Sequence, residues 1–189
     1  MDENDGRLYV RFLEENDREA LGVLYKKYKD KLTLFLYAIV QDHDDAEELM
    51  METFSVLASG SARYIETGDA SFKTWLYAIA KNQARLFLRR KSRYAISDDD
   101  NIEEIADING YPETLLLDSE RSRIMYKAMH KLAPDYRQVL YLMYFEELKP
   151  EQISSIMGKN IKQIYNLTTR GKAALKAVLE KMGDSRSCF

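Results

Sequence analysis

Between residues 95 and 118 the chain carries eight carboxylates and not one lysine or arginine. Three of them are consecutive, Asp98-Asp99-Asp100, and the stretch adds Gly110 and Pro112 without a sustained apolar period. Such a segment repels itself and has too little apolar surface to build a core. It reads as an extended linker that divides the chain into residues 1–94, 95–118 and 119–183, with a tail at 184–189. Charge follows the same division: acidic and basic side chains number 16 and 15 before the linker and 7 and 13 after it. A formal net charge of -3 therefore conceals a basic second block. A polyanion meets the local field rather than the mean.

Both blocks are patterned for helices. With 8 Gly and 3 Pro in 189 residues, the chain lacks the turns of a sandwich or barrel. The expected fold is all-α, two small helical domains joined by the acidic linker. Leu21, Leu24, Tyr28, Leu32, Phe35 and Ile39, widened by Tyr25 and Leu36, recur at three- and four-residue spacing and predict a long amphipathic helix capped by Asn16 or Asp17. After a polar break at 41–45, a second helix starts with acidic residues in its first turn, where the helix dipole favours them. Its buried stripe is Ala46, Met50, Phe54 and Leu57.

Residues 59–70 hold Gly60 and Gly68 and no helical period, so they read as a loop. Ser71 then caps a third helix with Phe72, Trp75, Leu76, Ile79, Ala80, Leu86 and Phe87 along its apolar side. The far end of this helix is basic, with Lys81, Arg85, Arg89, Arg90, Lys91 and Arg93. The position of Trp75, the sole tryptophan, points to the core rather than to a stacking surface. In the second block, helices are expected over 120–131, from Pro134 to about Phe145, from Pro150 to Gly158, and from Asn160 to about Met182. Proline suits a first helical turn, and Asn160 with Gln163 has the spacing of a capping box.

Several function classes fall away. Cys188 is the lone cysteine, so no disulfide framework or thiolate metal site forms within the chain. The first residues lack the basic start and apolar run of a secretory signal, and no apolar stretch approaches the ~20 residues of a membrane helix. A cytoplasmic protein without membrane insertion is expected. His43 and His130, the only histidines, are expected at the surface and make neither a catalytic set nor a zinc set. Glu47, Glu48 and Glu52 fit a solvated helix face better than a magnesium site. The expectation is no enzyme, no catalytic residue, no metal and no cofactor.

Two constellations remain. The short helix, tight turn and long helix of 150–181 fit a helix-turn-helix, with Ile153, Ile156 and Met157 packing on Ile164, Leu167, Thr168 and Leu175. The solvent side would show Lys162, Gln163, Asn166, Thr169 and Arg170, side chains suited to base edges and phosphates. Lys159, Lys172 and Lys176 would add phosphate contacts. The same pattern also fits a plain helical hairpin. The second constellation is Asp45, Glu48 and Glu52, which share one helix face. Like charges so placed repel by roughly 0.2–0.5 kcal/mol per pair. A basic or polar partner would relieve that, although a solvated acidic face fits equally well.

The Asp-Ala-Glu-Glu-Leu…Glu-Thr-Phe run at 45–54, the Phe-Lys-Thr-Trp-Leu…Ile-Ala-Lys-Asn run at 72–82, the basic Leu88-Arg89-Arg90-Lys91 and Leu132-Ala133-Pro134 occur in an order that resembles the extracytoplasmic-function (ECF) sigma factors. Residues from about 17 to 94 resemble their region two, and 119–181 their region four. The resemblance implies a transcription initiation factor whose partners are core RNA polymerase and promoter DNA, and it leaves open an anti-sigma factor. It implies that Asp45, Glu48, Leu49 and Glu52 contact the clamp helices of the polymerase large subunit. The loop at 60–71 with Asn82, Arg85 and Arg89, extended by Arg90 and Lys91, would engage the minus-ten element on its separated strand. Lys162, Gln163, Asn166, Thr169 and Arg170 would meet the minus-thirty-five duplex. Tyr165 and Leu167 stand where that family often has basic residues, and Leu86 where an acidic one is frequent.

The alternative from the residues alone is a stand-alone dimeric helix-turn-helix regulator. The acidic stripe and the Arg85–Arg93 segment argue against it, because an operator binder needs neither. The abrupt sign change between Arg93 and Asp98 further suggests that the linker carboxylates compete for the chain's own basic helices.

Overall fold

A computed structural model of the chain describes residues 4–65, 71–97 and 120–182. The described residues form eight helices and no strand. The chain divides into two compact units, Met1–Thr114 and Leu115–Phe189. The linker's Asp98, Asp99 and Asp100, and with them the expected competition for basic helices, lie outside the described residues.

The first unit contains α1 (Asp5–Glu15), α2 (Arg18–Val40), α3 (His43–Ala58) and α4 (Phe72–Ser97). Asp17 caps α2 by accepting hydrogen bonds from the backbone N–H of Glu19 and Ala20. Seven successive residues of α2, Leu32 to Ala38, are buried. A helix covered on all sides is the centre of its bundle, and α1, α3 and α4 all pack on α2. The expected stripe of α3 is buried as read, at Ala46, Met50, Phe54 and Leu57, with Leu49 and Thr53 beside it.

Helix α1 was not foreseen in the sequence, although Leu8, Tyr9 and Phe12 carry its spacing and Asn4 accepts from the Gly6 N–H. The helix is tied down at both ends. Asp5 takes an ion pair from Lys27 at 2.6 Å and a hydrogen bond from the Tyr28 hydroxyl at 2.6 Å. Buried Tyr9 donates to the carbonyl oxygens of Leu57 and Ala62. Its ring lies 5.6 Å from Phe72 and 5.3 Å from Trp75, and Tyr64 closes the cluster at 5.5 Å from both. Gly6 permits that closure, because a Cβ there would stand 2.6 Å from the Tyr64 ring. Trp75 is half-buried and packs one side of its ring against this cluster.

The second unit contains α5 (Glu120–His130), α6 (Pro134–Tyr144), α7 (Pro150–Met157) and α8 (Ile161–Lys181). Pro134 and Pro150 open their helices, where a missing N–H costs nothing. Gly158 ends α7 in the left-handed region at φ 62°, a conformation that suits glycine. Asn160 and Gln163 form the expected capping box: each side-chain oxygen accepts from the other's backbone N–H at 2.9 Å. Ile153, Ile156 and Met157 are buried with Ile164, Thr168 and Leu175, whereas Leu167 is only half-buried.

His130 is a correction. It is half-buried rather than fully at the surface: its ring lies 4.7 Å from Tyr126, beside a cluster that includes Tyr141 and Phe145. Burial, then the charge of Arg137, pushes its pKa down from 6.5 to about 4. The aromatic spacing of α5 and α6 carried the signal, but only the packing of the two helices shows that the imidazole is enclosed.

Candidate functional site

The acidic face of α3 is built by its own cap. Asp42 accepts from the Asp45 N–H at 2.9 Å and starts the helix, which sets Asp44 and Asp45 in its first turn. Glu48 is exposed and Glu52 half-buried, so both reach solvent. Leu49, expected as a contact residue on this face, is 1% exposed. It belongs to the core, three residues before Glu52, and a partner cannot touch it without unpacking the bundle. Its place here is to hold the acidic residues' helix against α2.

Asp45 has a partner already. Its carboxylate lies 2.9 Å from the Lys91 ammonium, across 46 residues of sequence. The hydrogen bond raises the Lys91 pKa above its ordinary value. Acidic and basic candidate surfaces therefore meet between α3 and α4. A groove of about 550 Å³ between the same two helices is lined by Glu52, Val56, Leu86, Arg89, Arg90 and Arg93 among others. Leu86, read as part of the buried side of α4, is 47% exposed there. The buried stripe of α4 shifts to Leu76, Tyr77, Ala80 and Ala84, because only the first half of the helix faces the bundle.

Ser71 accepts from the Thr74 N–H and so begins α4 as expected. Asn82, Arg85, Arg89 and Arg90 are all exposed, along one continuous helix. The loop at 60–71 lies partly outside the described residues. In its described part, Tyr64 is buried and Ile65 exposed.

On α8 the five expected contact residues, Lys162, Gln163, Asn166, Thr169 and Arg170, are all exposed. Two of them have less freedom than their side chains suggest. The Gln163 side-chain oxygen accepts one bond in the capping box, which fixes the orientation of the amide and leaves its NH₂ group to donate. The Thr169 hydroxyl donates to the Tyr165 carbonyl at 3.0 Å. Lys159 pairs with Asp135 at 3.0 Å and Lys172 lies over the Tyr144 ring. Among the described residues, no helix is long and apolar enough to cross a membrane.

Residues 24–94 match the family model of Sigma-70 region 2, and residues 122–175 match that of Sigma-70, region 4. Together these cover more than half of the chain. Curated relatives include RNA polymerase sigma factor YlaC of Bacillus subtilis, 26% identical over 87% of this chain and 94% of the relative. RNA polymerase sigma-H factor of Pseudomonas aeruginosa is 27% identical over 95% and 96% of the two chains. The ECF RNA polymerase sigma-E factor of Haemophilus influenzae is 29% identical over 78% and 81%. Among solved structures, the fold is similar to sigma factor RpoE in complex with the anti-sigma factor NepR from Bartonella quintana, with TM-score 0.67, 23% identity, and coverage of 84% of this chain and 96% of that one. It is also similar to CnrH in complex with the cytosolic domain of CnrY, with TM-score 0.60, 18% identity, and coverage of 94% and 97%.

Proposed function

The chain belongs to the sigma-70 family of RNA polymerase sigma factors, in its ECF class, and from that premise we propose how its surfaces divide the work. The protein is a transcription initiation factor that acts with core RNA polymerase at promoters through region 2 and region 4. Glu48 and Glu52, with Asp45 at the start of the same helix, hold the clamp helices of the polymerase large subunit. Asn82, Arg85, Arg89 and Arg90 meet the opened minus-ten strand, where unpaired bases and a charged backbone suit a cationic helix. Lys162, Asn166 and Arg170 contact the minus-thirty-five duplex, with Gln163 donating from its free NH₂ group.

The observation that carries this reading is the placement of the two charge types. Both an exposed acidic face on α3 and an exposed cationic face on α4 lie within the region 2 match, and a second polar and cationic face on α8 lies within the region 4 match. A stand-alone operator binder has no use for the first. The protein performs no chemistry of its own and works in the cytoplasm, where core polymerase is found. Its relation to RpoE extends the proposal to an anti-sigma partner.

The test is capture of purified core polymerase by the full chain. Charge reversal by Glu48→Lys with Glu52→Lys should weaken capture at least about tenfold, since like charges brought together across an interface cost several kcal/mol. Lys162→Ala with Arg170→Ala should leave it unchanged. Capture that ignores the glutamates, or is lost with the α8 pair, would refute this division.

A further inference from the structure

The exposed half of α8 carries an apolar stripe beside its charges. Ile161 is 38% exposed and Tyr165 is 54% exposed. With Thr169 they follow one another at four-residue steps, so the three lie along a single line of the helix surface. Thr169 is exposed and its hydroxyl donates to the Tyr165 carbonyl, so its methyl group is what that side chain has left to offer a partner. An isoleucine and a tyrosine left in water on a well-packed helix gain nothing for the fold. Lys162, Asn166 and Arg170 run alongside the stripe, so the surface suits a polyanion that also presents apolar groups.

DNA has such groups in one place, the thymine C5 methyls of the major groove, and apolar side chains recognise them there. A recognition helix brings its first turns to the base edges. Ile161 is the first residue of α8 and Tyr165 lies one turn on. Resting on the duplex-reading role proposed above for α8, we infer that Ile161, Tyr165 and Thr169 form a thymine-methyl reader, with Tyr165 as its main specificity-determining residue. Discrimination at this stripe comes from methyl groups, whereas Lys162, Asn166 and Arg170 supply hydrogen bonds and phosphate contacts.

The experiment uses holoenzyme reconstituted from the full chain and core polymerase. A promoter is selected from a genomic fragment library, then resynthesised with each minus-thirty-five thymine, on either strand, replaced in turn by deoxyuridine. That change removes one methyl and no hydrogen-bonding group. For the unaltered protein, one or two positions should lose about fourfold in binding, the factor expected when a single methyl is no longer buried. Tyr165→Ala should bind more weakly and show no further loss on the same substitutions. Tyr165→Phe should keep the loss, because the ring and not the hydroxyl makes the contact. Lys162→Ala should weaken binding to all these duplexes alike and preserve the loss.

A flat deoxyuridine scan with the unaltered protein overturns the inference, as does a loss that persists in Tyr165→Ala or a selected segment without A·T pairs. A stripe that serves a protein partner predicts the flat scan. If Lys162→Ala and Arg170→Ala also leave promoter binding unchanged, the failure lies with the duplex-reading role of α8 itself. If they weaken it while the scan is flat, only the methyl reading fails.

Discussion

The two units distribute their functional charge differently. In the first, Glu52 of α3 shares a groove with Arg89, Arg90 and Arg93 of α4, and Asp45 is separately paired with Lys91. In the second, α8 keeps its faces apart: Ile164, Thr168, Leu175 and Leu179 are buried, while Lys162, Asn166 and Arg170 point outward. Its capping box and back-bonded Thr169 are satisfied within the helix. Under the division of surfaces proposed above, a partner that takes hold of Asp45 competes with its contact to Lys91, which predicts an electrostatic link between polymerase binding and strand binding in the first unit. The recognition face of α8 makes no such trade among the described residues.

That contrast can be broken at graded cost. Leu49→Ala should do most damage, about 2–5 kcal/mol, because it empties a fully buried site in the first unit. Fluorescence of Trp75 reads that unit alone, since it is the only tryptophan. Hydrogen exchange in α6 and α8 should stay unchanged. If Leu49 were an interface residue instead, polymerase capture would fall while stability held.

Next comes the enclosed imidazole of the second unit. His130 has a pKa near 4 in the fold, against an ordinary 6.5, so the unfolded chain takes up a proton that the folded one refuses. Stability from this source is complete above about pH 6.5 and is lost as pH falls toward 4, by up to about 3 kcal/mol. Denaturation of wild type and His130→Gln across that range should show slopes that differ in the second unit only. Equal slopes would mean that the ring is not enclosed.

Smallest is Lys91→Ala. The Lys91 side of the pair is largely exposed, so the variant should lose less than about 1 kcal/mol of stability. It should also tighten polymerase capture slightly at low salt by releasing Asp45, an effect that salt removes. No change at low salt would separate the two surfaces after all.

Much of this was legible in the residues, for a physical reason. Pro134, Pro150, Gly158 and the Asn160/Gln163 pair act through local backbone geometry, and they placed the limits of α6, α7 and α8 within a residue or two. The exposed polar face of α8 followed from helical period, whereas on α4 the period placed Leu86 on the buried side and the structure leaves it exposed. Contacts distant in sequence did not: the Asp45–Lys91 pair and the enclosure of His130 exist only once helices pack. Helix α1 is short and opens on polar residues, so its period covers few turns of the sequence, although Tyr9 anchors it in the core. Leu49 lies within the motif shared with the family, yet its helical phase puts it beside Ala46 and Thr53 and turns it inward.

The most direct measurement is run-off transcription with core polymerase and the full chain on a selected promoter. A discrete transcript from one start site should appear with the chain and not without it, and Arg85→Ala with Arg89→Ala should diminish it while holoenzyme still assembles. Assembly that leaves start sites scattered, or transcription indifferent to those arginines, would contradict a protein that grips polymerase with one charge and promoter DNA with the other.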